Sequence, residues 1–219
     1  MITIDGSHNE GGGQILLTAL TLSLAPRTPF RIEKIRAGRK QPGLLRQHIA
    51  AVKAAAQIGK AEVQGDQINS QELTFAPKDV IPGEYNLSIG TAGSTSLVLQ
   101  TVLPVLMLAS KPSSLTLEGG THNPAAPPYD FLEKAFVPLL NRIGGRVRME
   151  LLTPGFYPAG GGVMRSSSSH FSLEYESQQV APVHAITIER PTVEMLAVLV
   201  VTVASLALCS LSWWMAIHT

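Results

Sequence analysis

Cys209 is the only cysteine in the 219 residues, so no intrachain disulfide and no cysteine-built zinc site is possible, and a reducing compartment is expected. Charge is scarce as well. Charged residues make up 15% of the chain against 45% hydrophobic ones, and the formal net charge is +1. Such a composition can bury a core and is unlike a disordered chain. It does not announce nucleic acid, so any such site must come from local clustering of Arg and Lys. The start, MITIDGSHNEGGG, has no basic flank followed by an apolar run and reads as a strand entering a glycine turn. The expected location is therefore the cytoplasm. Several catalytic signatures are missing too. The six histidines form no metalloprotease-type zinc motif, and neither G-x-S-x-G nor G-x-x-x-x-G-K-[ST] occurs. That leaves α/β-hydrolase and Walker-type ATPase chemistry without support.

What the chain does contain is a duplication. A strand at Ile2–Ile4 leads through a glycine turn into a helix from about Gln14 to Leu24, followed by a strand at Arg31–Ile35. Pro42-Gly43 then opens a second helix with apolar residues at helical spacing, and β-like runs follow at Ala61–Val63 and Glu72–Phe75. The same order returns: a strand at Tyr85–Ile89, a helix from Thr95 to Ala109, a strand at Ser114–Leu117, a helix after Pro127-Pro128, and β-like runs at Arg146–Leu152 and Phe156. A βαβαββ unit occurring twice, over about 1–80 and 81–154, predicts an α/β (α+β) fold in which each copy buries one sheet face. Ala159–Met164 (AGGGVM) echoes Glu10–Ile15 (EGGGQI) and predicts the start of a third, unfinished unit. Residues 165–219 form a divergent tail with plausible strands at Phe171–Tyr175 and Ala185–Glu189. Within it, Met195–Ile217 carries no charge, and as a helix it would reach about 34 Å, enough to cross a hydrocarbon core of about 30 Å. It reads as a membrane span, a buried helix or an out-of-frame tail.

The candidate site residues lie in the turns. Glycines 11–13 between strand and helix would let phosphate approach free backbone N–H groups, and Glu10 beside them could hold a divalent cation. Three glycines alone favour a plain tight turn with Glu10 as a first-turn acid. Arg36, Arg39, Lys40 and Arg46 form the densest basic stretch, suited to phosphate or simply to a solvated loop. Gln100 puts an amide into an apolar helix and must find a partner. His122 and Asn123 sit on a Gly- and Pro-rich turn, as crevice lining or surface, while Pro127 and Tyr129 could bracket a flat base or merely open a helix.

Six ordered motifs (DGSHNEGGGQIL, IRAGRKQPGLLRQH, GTAGSTSLVLQTVLP, GGTHNPAAPPYDFLEKAFVPLL, RIGG and GFYPAGGGV) closely resemble the RNA 3'-terminal phosphate cyclase family over roughly Met1 to Met164. The resemblance implies repeated βαβαββ units of the cyclase and enolpyruvyl transferase type. It implies a ligase of RNA processing that uses ATP and a divalent cation, Mg or Mn. A histidine is adenylylated, AMP passes to the RNA 3'-phosphate, and the vicinal 2'-hydroxyl closes a 2',3'-cyclic phosphate. By position, Glu10 resembles the metal-contacting acid and an ATP contact. Gln100 and Pro127 resemble further ATP contacts, and Arg36, Arg39 and Gln47 resemble contacts to phosphate and the RNA 3' end. Two departures stand out. Leu17 occupies a position where the family usually has arginine, and none of the histidines sits in the family's nucleophile motif. A truncated, inactive cyclase is therefore expected, with a non-catalytic RNA-binding protein of the ribosome-assembly type as the alternative.

Overall fold

The computed structural model describes residues 1–8, 12–90, 92–124 and 126–169. The first unit runs β1 (Ile2–Asp5), α1 (Gln14–Leu24), β2 (Phe30–Glu33), α2 (Arg46–Gly59), β3 (Glu62–Gln64) and β4 (Leu73–Ala76). The second runs β5 (Glu84–Ser88), α3 (Thr95–Met107), β6 (Ser113–Gly119), a long helix, β7 (Val147–Thr153) and β8 (Gly162–Ser168). That long helix begins as α4 (Tyr129–Phe131), widens into a π-helical turn over Leu132–Phe136 and ends as α5 (Val137–Arg142).

Both units make a four-stranded mixed sheet of the same topology, β1-β2-β4-β3 in one and β5-β6-β8-β7 in the other. In each, the first two strands are parallel and the remaining pairings antiparallel. The helical crossovers force this: a strand followed by a helix returns parallel, while the last two strands are joined without a helix and turn back on themselves.

One expectation is overturned here. AGGGVM does not open a third unit. It leads into β8, which pairs Leu117 with Met164 and Leu115 with Ser166, and takes the place in the second sheet that β4 holds in the first. Alternation decides it. Gly162, Met164, Ser166 and Ser168 are buried while Val163, Arg165 and Ser167 face outward, a period of two that only a strand can satisfy. The resemblance to EGGGQI rested on glycines alone. Two further boundaries shift: the helix after Pro42-Gly43 begins at Arg46, and Phe156 forms only isolated bridges, to His122 and Gly160. The calls on Phe171–Tyr175, Ala185–Glu189 and Met195–Ile217 fall outside the described residues. Among the described residues, no helix is long and apolar enough to cross a membrane.

The helices make one shared layer. α3 is the extreme case, with Val98, Leu99, Val102, Leu103, Val105, Leu106 and Met107 all buried. Residues of the first unit (Leu17, Ala51, Ala54 and Ile58) share a core with α3 and the second sheet, whereas Val105 of α3 reaches into the core of the first unit. Thr21 on α1 ties the layer further by donating its hydroxyl to the Thr101 carbonyl on α3 at 2.8 Å.

Leu99→Ala tests this sharing. It should cost about 2–5 kcal/mol in denaturant unfolding, and hydrogen exchange should speed up in α1 together with α3. Unchanged protection of α1 would mean the two units are stabilised separately.

Candidate nucleotide and phosphate site

The parallel strands of both units end at the same side of the molecule, where the turns that follow β1, β2, β5 and β6 gather. In open α/β sheets this is where ligands find a crevice. A cleft of about 1270 Å³ lies here. One wall is Lys40, Gln41, Pro42, Leu45, Arg46 and Gln47 from the turn after β2, with Ile68, Asn69 and Gln71 from the β3–β4 connection. The other is Ala92, Gly93, Ser94 and Leu97 at the start of α3, with Asn123, Pro124 and Ala126 after β6, and Tyr157 and Pro158 before β8. Lys40 and Arg46 are cations, and no described lining residue is a carboxylate.

The wall at α3 is built from backbone upward. Ser94 caps the helix by accepting the Leu97 N–H at 3.4 Å. Thr95 donates its hydroxyl to the Gly120 carbonyl at 3.0 Å, and the Asn123 amide donates to the Ala92 carbonyl, clamping the two turns together. The Asn123 Oδ1 is buried without a hydrogen-bond partner. The cleft volume and the two cations fit a nucleotide.

Beside the cleft, the turn into α1 packs on the basic stretch. A Cβ at Gly12 would stand 3.2 Å from an Arg39 guanidinium nitrogen, and a Cβ at Gly13 would overlap the His48 imidazole. Glycine is needed at position 13 because the imidazole occupies the space, whereas at position 12 the flexible end of Arg39 can give way. His48 accepts the Leu45 N–H at Nδ1 (3.0 Å), which leaves Nε2 to carry the proton and face Gly13. Burial, then the positive charge of Arg36, pushes the His48 pKa down to about 4. It is a neutral support under the glycine turn.

The anticipated residues fare unequally. Gln47 lines the cleft, and Arg39 stands against the glycine turn. Arg36 has a left-handed backbone (φ 55°) and donates to the carbonyls of Gln41 at 2.7 Å and Gly43 at 2.8 Å, so it shapes the turn. Gln100 is half-buried on α3 one turn beyond the lining residue Leu97, and Pro127 is buried next to the lining residue Ala126. Glu10 lies outside the described residues. Among the described residues no group of three or more His, Cys, Asp or Glu side chains converges. Leu17 is buried in the helix layer, 4% exposed, and brings no charge to the cleft.

His122 lies at the cleft rim. Its Nε2 donates to Asp130 at 3.0 Å, its Nδ1 is 2.8 Å from the Thr121 hydroxyl, and its ring stacks on Phe156. Lys134 first, and His122 second, hold the Asp130 carboxyl down at about 2. Sequence reasoning missed Asn69 and Gln71, which come from a connection outside the motifs, Tyr157, which lies within GFYPAGGGV but was given no role, and the role of His48. The one available signal was the pairing of His48 with a glycine turn that has no space for a side chain.

A family model described as RNA 3'-terminal phosphate cyclase matches residues 8–217, beyond the point near Met164 where the ordered motifs stop. Relatives named RNA 3'-terminal phosphate cyclase from Koribacter versatilis and Ralstonia nicotianae are 60% identical over 162 residues and 58% identical over 161. Each match covers 74% of this chain and 46% of the relative, so the chain spans about half the length of the curated relatives it matches. Among solved structures, the enolpyruvyl transferase NikO from Streptomyces tendae has a TM-score of 0.39 at 16% identity, over 72% of this chain and 29% of that one.

His48 makes a pH prediction. Its pKa is about 4 in the fold against 6.5 for a free imidazole, so the unfolded chain binds the extra proton between those values. Stability should fall as pH drops from 6.5 to 4, by up to about 3 kcal/mol. His48→Gln should flatten that slope in urea titrations. An unchanged slope would show that His48 is not the group responsible.

Proposed function

Because this chain belongs to the RNA 3'-terminal phosphate cyclase family, we propose that its cleft binds ATP and the 3'-phosphate end of RNA for conversion to a 2',3'-cyclic phosphate. The observation that carries this reading is a cleft lined by two cations and no described carboxylate, beside the N-terminal end of α3. ATP, when bound, supplies the activating adenylyl group. The work left to these residues is binding and orientation. Lys40 and Arg46 offset phosphate charge, the positive dipole end of α3 adds to them, and Arg39 stands at the glycine turn for a second phosphate. Glu10 would complete a cation's ligands, with Gln100 and Pro127 close enough to the lining to shape the nucleotide end and Arg36 holding the basic turn in place. None of the six histidines carries the family's nucleophile motif, so this chain on its own is expected to take up no covalent AMP from labelled ATP with manganese.

Buried Leu17 favours a second reading, in which the chain binds RNA ends without catalysis. The two readings part on nucleotide: a non-catalytic RNA binder has no need of ATP.

Calorimetry with ATP and manganese tests the first. A charge-assisted hydrogen bond to phosphate is worth about 1.5–3 kcal/mol, so Lys40→Ala, Arg46→Ala and Arg39→Ala should each weaken binding by roughly one to two decades. RNA binding with no response to ATP would favour the second reading.

A further inference from the structure

Tyr157 is 65% exposed and lines the cleft from the connection between β7 and β8. A lone exposed aromatic is ordinary on a surface. This one stands on a tip that is held firmly. The Gly155 carbonyl accepts the N–H groups of Thr121 at 2.8 Å and His122 at 3.0 Å, while the Gly155 N–H donates to the Thr121 hydroxyl at 2.9 Å. A side chain at Gly155 would overlap the Gly162 backbone, so the two ends of the connection close on each other tightly. At its tip the Gly160 N–H donates to the Phe156 carbonyl at 2.8 Å, and the Phe156 ring lies on the His122 ring with centroids 4.8 Å apart and 23° between planes. The Tyr157 ring is therefore carried on a braced tip with much of its surface open, so a flat partner would meet it at a low ordering cost.

The lining chemistry limits what that partner can be. The same cleft is lined by Lys40 and Arg46 and by the amides of Gln47, Asn69 and Gln71, with no carboxylate among the described lining residues. An apolar protein surface would strand those polar groups. A polyanion with flat, hydrogen-bonding bases would satisfy all of them, and aromatic stacking beside a basic wall is how single strands are held.

We propose that Tyr157 is a base-stacking residue for single-stranded RNA just upstream of the 3'-phosphate, with the Phe156–His122 stack as its footing. The inference rests on the cleft being the RNA 3'-end site. Stacking uses the face of a base and not its edge, so Tyr157 gives affinity for a base at one position without choosing which base.

Fluorescence anisotropy of the full 219-residue chain with labelled six-nucleotide RNAs ending in a 3'-phosphate tests it. One RNA is intact, and the others carry a single abasic site moved along the strand. Tyr157→Ala should weaken the intact RNA about tenfold and leave one abasic RNA unaffected, because the stacked base is already gone. Tyr157→Phe should keep wild-type affinity, since the ring acts and the hydroxyl does not. Equal losses on every RNA, or loss in Tyr157→Phe, would overturn stacking. If Lys40→Ala and Arg46→Ala weaken RNA while Tyr157→Ala does nothing, the cleft reading stands and this inference falls. If the wild type binds none of the RNAs, both fall. If Tyr157→Ala changes only self-association in sedimentation, the ring belongs to a protein contact and the proposal is wrong.

Discussion

A helix with apolar residues on every side cannot be left against water, and α3 is such a helix. From Val98 to Met107 only Gln100 is more than marginally accessible. Each buried aliphatic side chain is worth about 1.5–3 kcal/mol, far more than a single sheet can recover by covering one side. α3 must therefore lie between its own sheet and the helices of the preceding unit. Leu17 from α1 and Ala51, Ala54 and Ile58 from α2 complete its surroundings. The small residues on α2 matter because alanine lets two helices approach closely enough to exclude water.

The position of the cleft follows from that burial. Once α1, α2 and α3 are locked into one layer, the turns feeding them sit side by side. The turn after β2 then shares a cleft with the start of α3, although the two are separated by roughly a third of the described chain. The polar groups of those turns are held by one another: Arg36 on the Gln41 and Gly43 carbonyls, Thr95 on Gly120, Asn123 on Ala92. Such fixed groups need little reordering when a phosphate arrives, which is the condition for electrostatic binding to be strong.

Two glycines of the motifs are demanded by packing. Gly13 is needed because the neutral imidazole of His48 fills the space a side chain would take, and Gly155 because the backbone of Gly162 does. Both are packing requirements, and in neither is the residue itself the chemical group. Arg36 makes the same point for charge. It belongs to the motif expected to meet phosphate, yet its observed bonds build the loop from which Lys40 and Arg46 project.

The duplicated βαβαββ order was legible in the chain because apolar spacing of 3.6 and of 2 residues is a local property, repeated at a constant offset. The basic turn and the glycine turn were legible for the same reason. Local pattern failed at AGGGVM, where three glycines look alike whether they lead to a helix or to a strand, and pairing with β6 and β7 made the choice. It failed also for Asn69, Gln71 and Tyr157, whose neighbours across the cleft lie far away in sequence. The amino-acid sequence by itself determined the elements, their repeat and the family. Only the tertiary structure decided which turns share a wall, since that depends on how three helices fill the space between two sheets.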